Sequence, residues 1–335
     1  MKRLSILLAL LGLGVMLLLL AWFDVGAVWA ALLAVGWGGF GLLLLWQGVL
    51  FVVLGAAWGI VLPGMGPLLL VWARMVRDAA TTCLPFSPVG GYVLGARALT
   101  LEGLAWPTAA AGTVVDVVAE ILAQLAFALF GVAVLVLVRP GSGLARPVEA
   151  GLAVAFGLVL VGIWQRRRIG QSLRRLGRRV LGEWFSGQEG VGRLEAELAR
   201  LFVPGRLVGA SLVHLSGWFA TGVGTWISLR LLGAETAMLH VLALEALLDA
   251  LVAAAFVVPG GAGVLEAGYV GFGALFGVPP ELALGVSLLR RGRDLVWGVP
   301  ILLAWQGREV RRLAAGREKK VREKAGGGGA GRAGE

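Results

Sequence analysis

Four carboxylates lie inside apolar sequence, in two pairs with the spacing of one helical turn. Asp116 and Glu120 form the first pair, and Glu245 and Asp249 form the second. Residues at i and i+4 lie on one face of a helix, so each pair predicts a polar stripe, which Gln124 extends in the first case. An ionised carboxylate costs about 3 kcal/mol or more at the centre of a bilayer. These residues therefore indicate either ion pairing between helices or a polar cavity.

Charged residues also interrupt the last apolar segment, which is predicted to span the membrane over residues 281–305. Arg290, Arg291 and Asp294 lie well inside it. One interpretation is that the arginines snorkel to the membrane surface, which requires a tilted or shortened helix. The other is that they are counter-ions for the first carboxylate pair or for a lipid phosphate.

Two proline- and glycine-rich stretches break the apolar sequence, one in each half of the chain. Residues 85–95 form the first, with Arg97 just beyond it, and residues 259–271 form the second, which contains Glu266. Glycine lets backbone N–H groups face a ligand, and a helix N-terminus favours an anion such as phosphate. A tight turn between helices is the alternative interpretation. The candidate positions are Gly90, Gly91, Pro259, Gly260, Gly261 and Gly263.

Each half thus contains one broken stretch and one helix with a carboxylate pair, in opposite order. This order is compatible with an inverted repeat, in which broken helices of the two halves meet at a binding site near the bilayer midplane. The sequence predicts a polar path that is lined from both halves.

The composition predicts an all-α, polytopic integral membrane protein. Hydrophobic residues make up 58% of the chain and charged residues 15%, and the mean hydropathy is +0.86. A soluble domain carries roughly 25% charged residues. A single cysteine excludes an internal disulfide, and two histidines argue against a metal site. The sequence has no nucleotide-binding loop and no nucleophile motif, so we expect no cofactor and no enzymatic activity.

We expect about eight transmembrane helices together with one or two re-entrant segments. The predicted spans are residues 4–22, 38–62, 108–138, 148–164, 207–230, 237–258, 264–278 and 281–305. Re-entry is the alternative for 264–278. Residues 66–78 are predicted to be an interfacial or half-membrane helix, and 81–107 a broken, re-entrant hairpin from the cytoplasmic side.

Residues 1–310 are predicted to form a single integral membrane domain. Within it, residues 165–206 are expected to form a basic cytoplasmic loop, with an amphipathic helix that lies on the anionic leaflet. Residues 311–335 are predicted to be a disordered, basic cytoplasmic tail. The distribution of arginine and lysine places both termini in the cytoplasm.

The sequence resembles a known family at three motifs. They are P-G-G-x-G-x-x-E at residues 259–266, followed by Arg290, and the runs LPFSPVGGYVLGARALTLEG and VVDVVAEILAQ. Together they resemble the flippase-like membrane domains, a family that includes the membrane portion of lysylphosphatidylglycerol synthase. Within it, the chain is most similar to the hopanoid-biosynthesis-associated membrane proteins. The resemblance covers about residues 1–310.

This resemblance implies a protein of the bacterial inner (plasma) membrane that handles a lipid. No aminoacyl-transfer domain follows the last span, so we do not expect lysyl transfer. The substrate-binding residues that the resemblance implies are Gly90, Gly91, Arg97, Asp116, Glu120, Pro259, Gly260, Gly261, Gly263, Glu266 and Arg290.

Two functions remain open at this point. The first is a flippase-like translocator that moves a phospholipid or hopanoid headgroup between leaflets, with no nucleic-acid partner. The second is a non-transporting scaffold for enzymes of membrane lipid or hopanoid synthesis, which would dock on the basic loop and tail. A membrane-embedded enzyme ranks last, because no nucleophile or metal set accompanies the carboxylates.

Overall fold

The computed structural model describes residues 25–84, 87–139, 157, 187–255 and 263–327. The described residues form nine helices and confirm the all-α class. The helices are α1 (Val25–Val61), α2 (Pro67–Cys83), α3 (Ser87–Leu101), α4 (Trp106–Val138), α5 (Gly187–Leu201), α6 (Pro204–Leu231), α7 (Met238–Ala254), α8 (Val264–Leu275) and α9 (Pro280–Gly327).

Among the described residues, three helices are long and apolar enough to cross a membrane. They are α4, α6 and the Leu33–Val61 part of α1, with 33, 28 and 29 residues. At about 1.5 Å per residue, each is longer than the roughly 30 Å of a hydrocarbon core. They confirm the spans predicted at residues 38–62, 108–138 and 207–230.

Helix α5 is the C-terminal part of the predicted basic loop. Its side chains Leu194, Leu198 and Leu201 pack against the apolar core of the first half. Residues 165–186 of this loop and the spans predicted at 4–22 and 148–164 lie outside the described residues.

The directions of the helices follow from the pairs of residues that meet. Gly217 of α6 lies against Leu54 of α1, and Gly224 lies against Trp46, so α1 and α6 run antiparallel. Helix α2 follows α1 after a short turn and packs back along it. Therefore α2 and α6 run in the same direction.

Helix α4 runs parallel to α6 and antiparallel to α7. Asp116 of α4 meets His214 of α6, and Phe127 meets Phe219 further along both helices. On the other side, the contacts are of Gln124 with Asp249 and of Gly131 with Ala246. As a result, α2 and α7 run in opposite directions.

Two helical hairpins follow from this arrangement, α2–α3 and α7–α8. Each begins with a helix of 17 residues and returns with a shorter one, of 15 residues in α3 and 12 in α8. The 12 residues of α8 extend only about 18 Å. The interpretation of 264–278 as a crossing is therefore wrong, and so is that of 237–258, because α7 and α8 are the two arms of one hairpin. Since α2 and α7 run in opposite directions, the two hairpins enter the helix bundle from opposite faces.

Two other expectations are corrected by the helix bounds. The glycine-rich stretch expected to be irregular is helical from Ser87 onward. Helix α9 continues to Gly327, so the prediction of a disordered tail is wrong for residues 311–327. Residues 328–335 lie outside the described part of the chain. The boundaries of the single membrane domain stay a prediction.

The apolar core forms two clusters, one around each hairpin. In the first half, Trp58, Leu99 and Val115 are fully buried, and in the second half Leu244 and Leu248 are buried to the same extent. The charged residues described next lie between these clusters.

Candidate functional site

Charged residues occupy matching positions in the two halves. One half consists of the α2–α3 hairpin and α4, and the other of the α7–α8 hairpin and α9. The matches fall at the eighth and twelfth residues of α2 and α7, and at the eleventh and fifteenth residues of α4 and α9. In order, the matched residues are Arg74 with Glu245, Asp78 with Asp249, Asp116 with Arg290, and Glu120 with Asp294.

The match continues through the short returning helices. The chain has two tyrosines, Tyr92 and Tyr269, and each is the sixth residue of its helix, α3 or α8. Each follows a glycine that packs against the preceding helix, Gly91 or Gly268. The two halves therefore match in helix order, and at two of the four matched positions a basic residue is exchanged for an acidic one. This exchange explains why the broken stretch precedes the acidic helix in one half and follows it in the other.

The first charge cluster (Arg74, Arg77, Asp78, Asp116 and Glu120) joins α2 to α4. Arg77 Nη1 donates to Asp116 Oδ2 at 2.6 Å, and Arg74 Nη2 donates to Glu120 Oε1 at 2.8 Å. Arg77 Nη2 also donates to Glu120, so one guanidinium bridges both carboxylates. Hydrogen bonds between ionised groups in such forked geometry are the strong ones. These hydrogen bonds replace those that the buried arginines would otherwise form with water.

Two further contacts fix the position of the Arg77 guanidinium and of the Asp116 carboxylate. The guanidinium lies over the Tyr92 ring, 4.5 Å from its centroid, and 5.9 Å from that of Trp58. His214 Nε2 on α6 lies 2.9 Å from Asp116 Oδ1. The first charge cluster thus connects α2, α4 and α6, and it also contacts α3 through Tyr92.

The second charge cluster (Glu245, Asp249, Glu266, Arg290 and Arg291) joins α7, α8 and α9. Glu245 is fully buried and accepts a hydrogen bond from Arg290. It also accepts hydrogen bonds from Thr225 Oγ1 at 2.7 Å and from Tyr269 Oη at 3.0 Å. Arg290 Nη2 lies 3.6 Å from Asp249 Oδ1, which makes a looser ion pair.

Glu266 has a structural role at the start of α8. Its carboxylate accepts one hydrogen bond from Arg291 and another, of 2.9 Å, from the backbone N–H of Gly263. Gly263 has a φ of +77°, a conformation that glycine adopts without strain. The carboxylate thus occupies the end of α8 where we expected backbone N–H groups to face an anion. Pro259, Gly260 and Gly261 lie outside the described residues.

A central cavity of about 470 Å³ lies between the two charge clusters. Sites for small molecules typically measure about 300–1,000 Å³, so the cavity has the size of such a site. The charged lining comes from Arg74, Arg77, Asp78 and Glu120 in the first half, and from Asp249, Arg290, Arg291, Arg293 and Asp294 in the second. The predicted polar path lined from both halves corresponds to this cavity.

Six of the candidates line the cavity: Glu120, Gln124, Asp249, Arg290, Arg291 and Asp294. Asp116, Glu245, Glu266 and Gly263 lie outside its lining, and so do three candidates in and after the first broken stretch. Arg97 pairs with Glu309 at 2.8 Å, and its side chain is 44% exposed. Gly91 packs against α2, where a Cβ would lie 2.0 Å from Thr81 Oγ1, and Gly90 has no neighbour there. The structure therefore places none of the three in the cavity lining.

The expected partners of two arginines are also corrected. Arg290 and Arg291 pair with the carboxylates of the second half and not with Asp116 and Glu120. They do not snorkel, because both ends of these ion pairs lie within the helix bundle. Asp294 pairs with its neighbour Arg293 at 2.8 Å.

The sequence interpretation missed the residues that balance the first carboxylate pair. Arg74 and Arg77 lie in residues 66–78, which the sequence predicts to be an interfacial or half-membrane helix, and His214 is not among the candidate positions. A usable signal was present, because the motif R-x-x-R-D occurs at residues 74–78 and again at 290–294. Thr225 and Tyr269, which bond to Glu245, carried no such signal.

Comparison with protein-family models identifies a family that covers most of the chain. The model described as Lysylphosphatidylglycerol synthase TM region matches residues 6–302. Comparisons with curated proteins and with solved structures gave no match at the significance level applied.

Proposed function

Because the chain belongs to the lysylphosphatidylglycerol synthase TM region family, we propose that it moves a lipid between the two leaflets of the membrane. The observation that carries this proposal is the central cavity, which holds charges of both signs between two hairpins that enter from opposite faces. Broken helices of this kind surround the binding sites of many transporters. The proposed activity is transport without chemistry on the lipid, which is a phospholipid or a hopanoid.

The physical barrier to this reaction is the polar headgroup. Hydrocarbon offers no hydrogen-bond partners, so a charged headgroup crosses a pure bilayer slowly. In the cavity, guanidinium and carboxylate groups from both halves can replace its water. Because these groups are already held by ion pairs such as Arg77–Asp116, little ordering is needed when the headgroup enters.

The same proposal includes an orientation in the bacterial inner membrane. Residues 308–312 of α9 lie beside the first half of α2 and the end of α3, since Arg308 stacks on Trp72 and Arg312 donates to the Leu101 carbonyl. This face carries the basic continuation of α9, so the positive-inside rule assigns it to the cytoplasm. The hairpin α2–α3 then enters from the cytoplasmic side and α7–α8 from the opposite side.

The test is lipid movement in liposomes that contain the purified protein and a phospholipid labelled on its acyl chain. Wild type should move the label between leaflets faster than protein-free liposomes, and Glu120→Ala should return the rate toward that background. If wild type and Glu120→Ala both give the background rate, the proposal is wrong. If the protein is instead a scaffold, its cellular function should depend on the basic loop and tail. The substitutions Asp116→Asn and Glu120→Gln should then leave that function intact.

A further inference from the structure

Three buried polar side-chain atoms of residues that line the central cavity have no hydrogen-bond partner among the described residues. One is the indole Nε1 of Trp218, and the two on charged side chains are Nη1 of Arg74, a donor, and Oδ2 of Asp249, an acceptor. Both residues line the cavity, and each is only 5% exposed. Nη1 is 3.9 Å from the nearest carboxylate oxygen of Asp116, beyond hydrogen-bond distance. Buried groups of this kind are normally satisfied, so each exception needs an explanation.

The two atoms belong to opposite halves but flank the same stretch of α4. Glu120 accepts a hydrogen bond from Arg74, and Gln124, one turn later, donates to the backbone carbonyl of Asp249 at 3.4 Å. One helical turn advances about 5.4 Å. The two residues thus contact α4 one turn apart, so a ligand that contacts both can supply an acceptor to one and a donor to the other.

The charges of the two residues define the ends of such a ligand. A guanidinium N–H calls for an anionic acceptor such as a phosphate oxygen. The Asp249 carboxylate calls for a hydrogen-bond donor, and a cationic N–H group satisfies it best. A quaternary ammonium has the charge but no N–H to donate, and a glycerol headgroup has a donor but no charge.

From this pairing we propose that the cavity selects a zwitterionic lipid headgroup in which a phosphate, bound at Arg74, and a primary ammonium, bound at Asp249, are joined through two carbons. This inference rests on the proposed function and names its substrate class, a phosphoethanolamine-type lipid. Asp249 is then the residue that determines specificity.

The first test varies the lipid and leaves the protein unchanged. Acyl-labelled lipids carry phosphoethanolamine, its monomethyl and dimethyl derivatives, phosphocholine or phosphoglycerol, and their movement is measured in liposomes with the wild-type chain. We expect the largest fall in rate, about tenfold, between the dimethyl and trimethyl headgroups, where the last N–H is lost. Equal rates for all five lipids, or fastest movement of the phosphoglycerol lipid, would overturn the proposal.

The second test uses Asp249→Asn, which keeps the volume of the side chain but removes its charge. It should slow the phosphoethanolamine lipid about tenfold relative to the phosphocholine lipid, so that most of the preference for the headgroup with an N–H is lost. Arg97→Gln, outside the cavity, is the matched charge-removal control and should alter neither rate. If Asp249→Asn keeps full headgroup selectivity, Asp249 does not determine specificity. If this variant fails to fold, the lipid series with the wild-type chain still tests the substrate class.

The outcomes separate this inference from the function on which it rests. If no lipid moves faster than in protein-free liposomes, the translocator proposal fails. If all lipids move equally fast, translocation stands and only the headgroup selectivity is wrong. If radiolabelled glycerophosphoethanolamine accumulates inside the liposomes while no lipid moves, the proposal that the headgroup belongs to a lipid is wrong.

Discussion

Arg77 on α2 donates a 2.6 Å hydrogen bond to Asp116 on α4, and both side chains are withdrawn from solvent, at 2% and 0% exposure. Either residue alone would be an expensive charge in a membrane. Together they connect a hairpin to a full-length helix at the edge of the central cavity. The Arg290–Glu245 pair makes the corresponding connection in the second half.

Removing one member of this pair should destabilise the protein strongly. Arg77→Leu leaves Asp116 buried with His214 as its remaining close partner, and breaking a buried pair costs about 3–5 kcal/mol. Arg97→Leu breaks an exposed pair and should cost about 0–1 kcal/mol. The thermal midpoint in detergent, followed by the loss of monodisperse protein, measures both. Equal midpoints for the two variants would show that the buried pair does not stabilise the fold.

The two tyrosines at matching positions should respond differently to loss of the hydroxyl. Tyr269 is 1% exposed and bonds to Glu245 through its hydroxyl, whereas Tyr92 faces Arg77 with its ring. Tyr269→Phe should therefore lower the free energy of unfolding by about 1–3 kcal/mol. Tyr92→Phe keeps the ring face and leaves the ion pairs of Arg77 with Asp116 and Glu120 in place, so it should lower stability by less. Thermal unfolding of the two single variants under identical conditions decides between them, and a larger effect at Tyr92 would contradict the hydrogen-bond network.

Two adjacent glycines give the sharpest test of how the first hairpin packs. A Cβ on Gly91 would lie 2.7 Å from the Arg77 carbonyl oxygen, so Gly91→Ala should separate α3 from α2 and lower the thermal midpoint. A Cβ on Gly90 meets nothing within 4 Å. Alanine stabilises a helix by about 0.5–1 kcal/mol relative to glycine at the same position. Gly90→Ala should therefore be neutral or stabilising. The opposite ranking would show that Gly91 does not face α2.

The opposite entry of the hairpins can be tested by labelling from one side of the membrane. Glu102 lies between α3 and α4, Glu235 lies between α6 and α7, and both are exposed. In a Cys83→Ala background, a membrane-impermeant maleimide should label Glu102→Cys from the cytoplasmic side and Glu235→Cys from the opposite side. Labelling of both from the same side would disprove the inverted arrangement.

The carboxylate stripes could be predicted because helical spacing alone puts Asp116, Glu120 and Gln124 on one face. Their partners could not, because Arg77 and Asp116 are 39 residues apart and meet only when the hairpin packs on α4. Local sequence also does not distinguish Gly90 from Gly91, since only the neighbouring helix gives them different roles. The extension of α9 was missed because a basic, glycine-ended tail is typical of disorder.

The central claim is that the cavity between the hairpins carries the headgroup, and one pair of variants tests it most directly. Arg293→Gln removes a cavity guanidinium whose ion pair is with the adjacent Asp294, so no connection between helices is broken. Arg97→Gln makes the same change outside the cavity. In liposomes, Arg293→Gln should slow the movement of an acyl-labelled phosphoethanolamine lipid several-fold, while Arg97→Gln should match wild type. Equal rates for the two variants, both at the wild-type value, would contradict the claim.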